Sequence, residues 1–178
     1  MQLTPAMMNF ILHWGEMGSK WGVNRSVAQI HALLHIAPDA MTADEICEAL
    51  SLARSNVSNG LKELQAQGLV KASRQLGDRR DHFTSIRDMF DLVDAVIKAR
   101  REREFAPTLR ALEDVIKEAE SDQTPKAIKN RMGETLRVMR MFDDWYADFS
   151  RLPRSVHLAV LKLGGKLVRF LPGNKPKD

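Results

Sequence analysis

Residues 53–67 read Ala53-Arg-Ser-Asn-Val-Ser-Asn-Gly-Leu-Lys-Glu-Leu-Gln-Ala-Gln67, and the stretch sorts two kinds of residue onto two faces. Val57, Leu61 and Leu64 recur at i, i+4 and i+7, the spacing of a helix with one buried face. The opposite face of its first two turns carries Arg54, Ser55, Asn56, Ser58 and Asn59. Ser and Asn are poor helix formers because their side chains compete for backbone hydrogen bonds. A helix that only had to fold would carry Glu, Lys or Ala at those positions. Short donors and acceptors there suit a helix whose N-terminal end is pressed against base edges and phosphates.

The flanking sequence reads as apparatus for presenting this helix. Thr42-Ala-Asp-Glu45 is a capping box, with Thr at the cap and Glu three residues on. It predicts a short helix over 43–50 that buries Ile46, Cys47, Ala49 and Leu50. Three residues, Ser51-Leu52-Ala53, then lead into the polar-faced helix, which makes a helix-turn-helix. That helix ends at Gln67-Gly68, where a left-handed residue is needed. Residues 69–75 and 82–86 are short strand-like runs joined by Leu76-Gly-Asp-Arg-Arg-Asp81. A hairpin directly after such a helix is a wing, and its tip is the most basic spot in the chain.

Upstream, residues 4–20 predict a helix with an apolar stripe of Phe10, Ile11, Trp14 and Met17, followed by a stretch loosened by Gly18, Ser19 and Gly22. Asn24 or Ser26 caps a second helix that runs to Ile36 and buries Val27, Ile30, Leu33 and Leu34. Downstream, residues 88–120 are helical in pattern, through Met89, Leu92, Val93, Val96 and Ile97 and then Leu109, Leu112 and Ile116, with Pro107 expected to kink or divide them after Phe105 or Ala106. A proline-started helix follows to about Ser150, burying Ile128, Met132, Leu136, Met139 and Phe142, and Pro153 opens a last one to about Phe170. The expected organisation is a winged helix-turn-helix over 1–87, a helical region over 88–171 and a disordered polar tail over 172–178.

Net charge is only +4 over 178 residues, so this is not a generically basic protein. The positive charge is local. Between Arg54 and Arg87 stand Arg54, Lys62, Lys71, Arg74, Arg79, Arg80 and Arg87 against Glu63, Asp78 and Asp81. A basic patch beside a polar helix is the footprint of a polyanion site, and the alternative is a solvated face. One cysteine, Cys47, excludes an intramolecular disulfide and reads as core packing rather than as a reactive thiol. His31 and His35 lie one helical turn apart, a metal-binding spacing, but no third ligand accompanies them. No metal and no cofactor are expected. The N-terminus lacks a signal-peptide pattern, and no apolar run approaches the roughly 20 residues of a membrane span. The expectation is a cytoplasmic protein without enzymatic activity, since no phosphate loop, carboxylate pair or nucleophile motif is present.

Arg25-Ser-Val-Ala-Gln-Ile-His-Ala-Leu-Leu34, Met41-Thr-Ala-Asp-Glu-Ile46, Asn56-Val-Ser-Asn-Gly-Leu-Lys-Glu-Leu64, Gly68-Leu-Val70 and Gly77-Asp-Arg-Arg-Asp81 follow in an order and at a spacing that resemble the MarR superfamily of winged-helix regulators, and more narrowly its GbsR-type branch. The resemblance covers about a third of the chain. It implies a mainly α fold, with a winged helix-turn-helix and two-stranded β wing followed by long C-terminal helices for dimerisation. One departure is visible. The family usually caps its recognition helix with Ser or Thr, where this chain has Ala53, so the helix starts either there or at Ser51 or Ser55.

The implied function is a homodimeric transcriptional regulator, a repressor on family grounds, bound to double-stranded DNA at an imperfect palindrome. Ser55, Asn56, Ser58 and Asn59 would lie near base edges, with Arg54 and Lys62 on phosphate or the groove rim. At the wing, Asp78 would pair with one arginine to hold the hairpin while the other, Arg79 or Arg80, reaches into the minor groove. A salt-bridged surface turn is the plainer reading of these three residues. Phe142, Trp145, Tyr146 and Phe149 form a stripe at helical spacing, which suits a core or a dimer contact. For a relative that senses a small-molecule effector, such a stripe could instead be an aromatic cage. Residues 155–171 are apolar nearly all round, with Lys162, Lys166 and Arg169 along one side. Burial against a second subunit is expected, and a basic helix lying on a membrane is the alternative. A winged helix that binds proteins would instead show apolar residues in place of the polar face of Arg54–Asn59.

Overall fold

The computed structural model describes residues 1–167, in two compact units, Met1–Glu102 and a second that begins at Arg103. The expected tail over 172–178, and Arg169 with it, lie outside the described residues.

The first unit opens with α1, Pro5–Lys20, whose first turn is capped by Thr4. Its buried face is Ile11, Gly15 and Gly18, while Phe10 stays 37% exposed. Gly18 therefore belongs to the helix and does not loosen it. A methyl group on Gly18 would come within 2.6 Å of Ala28 Cβ, so glycine is what allows this helix to sit tightly on the next. That next helix, α2, is Arg25–Ile36, and Asn24 is its cap. Val27, Ile30, Leu33 and Leu34 are all buried, as their spacing predicts, and α2 forms the centre of the core.

Met41–Thr42 forms a two-residue strand, β1, ahead of α3, Ala43–Leu50. The capping box is formed in both directions. Thr42 Oγ1 accepts the Glu45 N–H, and the Glu45 carboxylate accepts the Thr42 N–H. Only Ile46 of the expected α3 face is fully buried; Cys47, Ala49 and Leu50 are half-buried against the core. Ser51 closes α3 in the left-handed region (φ 52°) and does not open the next helix. The polar-faced helix is α4, Arg54–Ala66, with Ala53 at its cap and no side chain capping it. Val57, Leu61 and Leu64 are buried with Gly60.

Two strands follow, β2 at Val70–Arg74 and β3 at Asp81–Ser85. They pair antiparallel from Val70 opposite Ser85 to Arg74 opposite Asp81. The sheet has a third member that sequence patterning misses, because β1 pairs with the other edge of β3 through Met41–Phe83 and Thr42–His82. Two residues are too short to display an alternating pattern. Helix α5, Met89–Arg100, is capped by Asp88 and buries only Leu92 fully, leaving Met89, Phe90, Val93 and Ile97 more than 40% exposed.

A π-helical turn, Arg101–Phe105, leads into α6, Ala106–Ser121. Pro107 accounts for it, since it has no N–H to donate and its ring crowds the carbonyl four residues earlier, so the chain widens there instead of breaking. In the second unit α6 packs on α7, Lys126–Ser150, through buried Leu109, Ala119 and Leu136 and an Arg140–Glu113 ion pair at 2.7 Å. Of the burial expected on α7, only Leu136 is complete. Ile128 and Phe142 are 45% and 59% exposed. Helix α8, Arg154–Leu167, ends the described chain. No helix among the described residues is long and apolar enough to cross a membrane.

A ring cluster ties α1, α2 and β3 together. Trp14 stacks on His31 and His35, which stack on each other at 6.0 Å. His31 Nε2 lies 3.1 Å from Ser85 Oγ, and His35 Nδ1 donates to the Ile86 carbonyl at 3.1 Å. His31 is buried, and that burial, with His35 beside it, pushes its pKa down from 6.5 to about 4.

Because the folded chain binds the His31 proton less tightly than the unfolded chain, its contribution is intact above pH 6.5. It is lost as pH falls from 6.5 towards 4, by on the order of 3 kcal/mol. Urea unfolding over that pH window should show a shallower decline for His31→Gln than for the parent; parallel profiles would contradict the assignment. Ala53→Ser supplies the missing cap of α4 and should raise unfolding stability by ~1 kcal/mol. No gain would mean that another residue opens the helix.

Candidate nucleic-acid interface

Three elements of the first unit converge on one surface: the start of α3, the outer face of α4 and the wing formed by β2, β3 and their loop. Burying Val57, Leu61 and Leu64 against the core rotates the other face of α4 outward. Arg54, Ser55, Asn56, Asn59 and Lys62 are exposed, and Ser58 is half-buried. Between this face and the wing lies a cleft of about 410 Å³, lined by Asp44, Arg54, Ser58, Lys62, Gln65, Arg79 and Arg80 among others. Of the residues singled out in the sequence, Arg54, Ser58 and Lys62 of the helix and Arg79 and Arg80 of the wing line this one cleft, while Ser55, Asn56 and Asn59 are not part of its lining.

The loop of the wing is internally braced. Gly77 takes φ +86°, and Asp78 follows with its carboxylate turned towards Arg80. Arg80 Nε donates to both carboxylate oxygens at 3.0 Å and Nη2 donates to Oδ2 at 2.6 Å, while the Arg80 backbone N–H donates to Oδ1 at 2.9 Å. These charge-assisted bonds hold the Asp78 carboxyl well below the ordinary carboxylate range and raise the Arg80 guanidinium. Behind the loop, buried His82 donates from Nδ1 to the Arg80 carbonyl at 3.2 Å and places Nε2 3.5 Å from Asp78 Oδ2. Of the two adjacent arginines, Arg80 is the one Asp78 holds. Arg79 is exposed and makes no ion pair or hydrogen bond with the described residues.

The rest of the basic patch divides the same way. Arg54 is bonded to Asp44, in the first turn of α3. Arg74 lies 3.5 Å from Asp81. Arg87 is turned away from the patch onto the carbonyls of Ala37 and Pro38, at the C-terminal end of α2, where a cation is favoured. Lys62, Lys71 and Arg79 remain without an ion pair among the described residues. Asp44 and His82 are the participants that the sequence reading misses. Asp44 stands ten residues before its partner, and His82, two residues after Arg80, contacts the loop from the start of β3 while pairing with Thr42 across the sheet.

The aromatic stripe lies in the second unit. Trp145 stacks on Phe149 at 5.1 Å, and Phe149 stacks on His157 of α8 at 4.4 Å. His157 also lies 2.7 Å from the Phe149 carbonyl through Nε2. Phe142 and Trp145 are 59% and 58% exposed, and Tyr146 is half-buried. The stripe therefore forms an open aromatic face, with one stacked pair and a histidine, and not an enclosed core. On α8, Lys162 is exposed.

Similarity to known proteins agrees with this layout. Residues 21–81, from the approach to α2 through the wing loop, match the sequence model of the MarR family. The chain is 26% identical over 160 residues to the HTH-type transcriptional repressor GbsR of Bacillus subtilis (strain 168), covering 85% of this chain and 83% of that protein. A solved structure described as a transcriptional regulator superposes with a TM-score of 0.67 at 18% identity, covering 81% of this chain and 95% of that one, and so shares its fold. The match across residues 21–81, together with the likeness to GbsR over 85% of the chain, makes this chain similar to the MarR family of winged-helix regulators.

Proposed function

We propose that this DNA-binding transcriptional regulator is a cytoplasmic repressor that grips an imperfect palindrome as a homodimer. The observation that carries the reading is the shared cleft of α4 and the wing, where an exposed polar helix face adjoins Lys62 and Arg79, cations with no ion pair among the described residues. Helix α4 lies in the major groove, with Ser55, Asn56, Ser58 and Asn59 towards base edges and Lys62 towards the backbone. Asp78 fixes Arg80 and thereby the loop, and Arg79 enters the minor groove, where a narrow groove attracts a cation electrostatically. A winged helix specialised for protein partners would need an apolar outer face on α4. Here that face is Arg54, Ser55, Asn56 and Asn59.

Dimerisation is supported by apolar surface that a lone subunit leaves in water. On α7, Met141, Phe142 and Trp145 are each more than 55% exposed. Contiguous exposed patches of this kind mark contact surfaces. Two-fold pairing sets two α4 helices one DNA turn apart, roughly 34–36 Å. The stripe of Phe142, Trp145, Tyr146 and Phe149 is also where a small cationic effector would dock, by cation–π attraction.

Binding to the duplex upstream of its own gene, followed by fluorescence anisotropy, should weaken by roughly 10³-fold or more between 50 and 200 mM salt. Arg79→Ala should weaken it further, on the order of tenfold, and flatten the salt slope. Affinity indifferent to both salt and Arg79 would remove the DNA assignment. In sedimentation velocity, Phe142→Glu/Trp145→Glu should shift the protein from dimer to monomer while leaving its helical circular dichroism unchanged. A variant that still sediments as a dimer would move the interface elsewhere.

A further inference from the structure

The Asp44–Arg54 pair assigns a role that neither the polar face nor the basic patch explains. Arg54 is the first residue of α4, and Asp44 stands in the first turn of α3 across the helix-turn-helix turn. Both are more than half exposed, with side-chain exposures of 59% and 66%, and Nη1 of Arg54 donates to Oδ1 of Asp44. They face the same cleft as Lys62 and Arg79, which have no ion pair among the described residues. The cleft therefore holds cations of two kinds: Arg54 and Arg80, each neutralised by a neighbouring carboxylate, and Lys62 and Arg79, which are not. Arg80 is committed to bracing its own loop, which leaves Arg54 as the paired cation on the helix.

The two kinds suit different acceptors. A phosphate brought to Arg54 would meet the Asp44 carboxylate as well, so the attraction is offset by like-charge repulsion. Counterion release, the main source of phosphate affinity, is weak for a charge that is already paired. A guanine edge presents N7 and O6, acceptors without a net charge that a carboxylate repels far less than it repels a phosphate. A guanidinium has five N–H donors in a rigid fork, so one bond to Asp44 leaves the donors needed for a bidentate contact. Fixing one edge of the fork also removes rotamer freedom before binding, which lowers the entropy lost on contact.

We propose that Asp44 is a positioning residue that holds Arg54 as a guanine reader in the major groove, so that Arg54 supplies base discrimination while Lys62 and Arg79 supply the electrostatic attraction. The proposal rests on the DNA-binding reading above and departs from the sequence-based expectation that Arg54 contacts phosphate or the groove rim. It makes Asp44 a specificity-determining residue that never touches DNA.

The test uses the full-length chain and its Arg54→Ala, Arg54→Lys, Asp44→Asn and Asp44→Glu variants. Each is first used to enrich sequences from a random double-stranded pool. Affinities are then measured over a salt series, on the wild-type consensus duplex and on its single-base-pair variants. The wild type should require a G·C pair at one position per half-site, with about 5- to 150-fold discrimination there. Arg54→Ala and Arg54→Lys should lose that preference and keep the others. Asp44→Asn should act in two opposite directions. The guanine preference falls, while binding to non-consensus duplex strengthens and the salt slope steepens by up to about 0.9 per protomer, as a freed guanidinium turns to phosphate. Asp44→Glu, which keeps the carboxylate, should keep the wild-type slope. A purely structural role for the pair would change all sequences alike and would not produce the opposed shifts. The proposal is overturned if Arg54→Ala weakens every duplex equally and flattens the slope by about 0.9, the signature of a phosphate contact. A wild-type protein that enriches no sequence overturns the DNA-binding reading itself, a result distinct from an enriched consensus that ignores Arg54.

Discussion

The placement of the wing relative to α3 depends on one buried hydroxyl residue, Thr42. It is 1% exposed, closes the capping box of α3 with Glu45, and pairs as a strand residue with His82. A helix cap and a sheet register are thus fixed by the same residue. From His82 the connection continues outward, through its bond to the Arg80 carbonyl and its proximity to the Asp78 carboxylate. The loop that carries Arg79 is held at a defined place relative to α3 and α4 because the hydrogen bonds of Thr42 leave α3 and β3 little freedom to slide. Such networks are worth most when buried and fully satisfied, and no buried side-chain polar atom among the described residues lacks a partner.

Within that frame, the electrostatics follow a simple division of labour. Carboxylates do not weaken the patch uniformly. Asp44 and Asp78 each engage one particular arginine, Arg54 and Arg80, and so convert a mobile charge into a fixed set of donors. Exposed ion pairs of this sort contribute little to stability, typically ~0–1 kcal/mol, so their value lies in orientation. Lys62, Lys71 and Arg79 stay available for long-range attraction. A net charge of only +4 is sufficient under this arrangement, because the counted charge and the charge presented to a polyanion are different quantities.

Much of the winged helix is legible in the chain because its signals are local. The i, i+4, i+7 spacing of Val57, Leu61 and Leu64 and the capping box at Thr42 each lie within one turn or one element, and all appear where expected. What sequence could not supply needed contacts between distant elements. Gly18 looks like a breaker until its proximity to Ala28 is known, and β1 is invisible without β3 beside it. The choice between Arg79 and Arg80 was undecidable from two adjacent identical residues, and the Asx-type bond from the Arg80 N–H to Asp78 distinguishes them. The later helices were legible only as helices. Their apolar positions predict burial, yet Phe142 and Trp145 remain open, since periodicity reports that a face seeks cover and not which chain provides it.

The central claim is that the tip of the wing sits in the minor groove while α4 occupies the adjoining major groove. Tethered iron–EDTA cleavage reads this directly, with the reagent attached at Arg79→Cys in a Cys47→Ser background and the bound duplex mapped on both strands. The account predicts two short cleavage patches per half-site, offset across the strands in the manner of a minor-groove origin and flanking the segment that α4 protects. Cleavage that is absent, or spread evenly along the duplex, would contradict it.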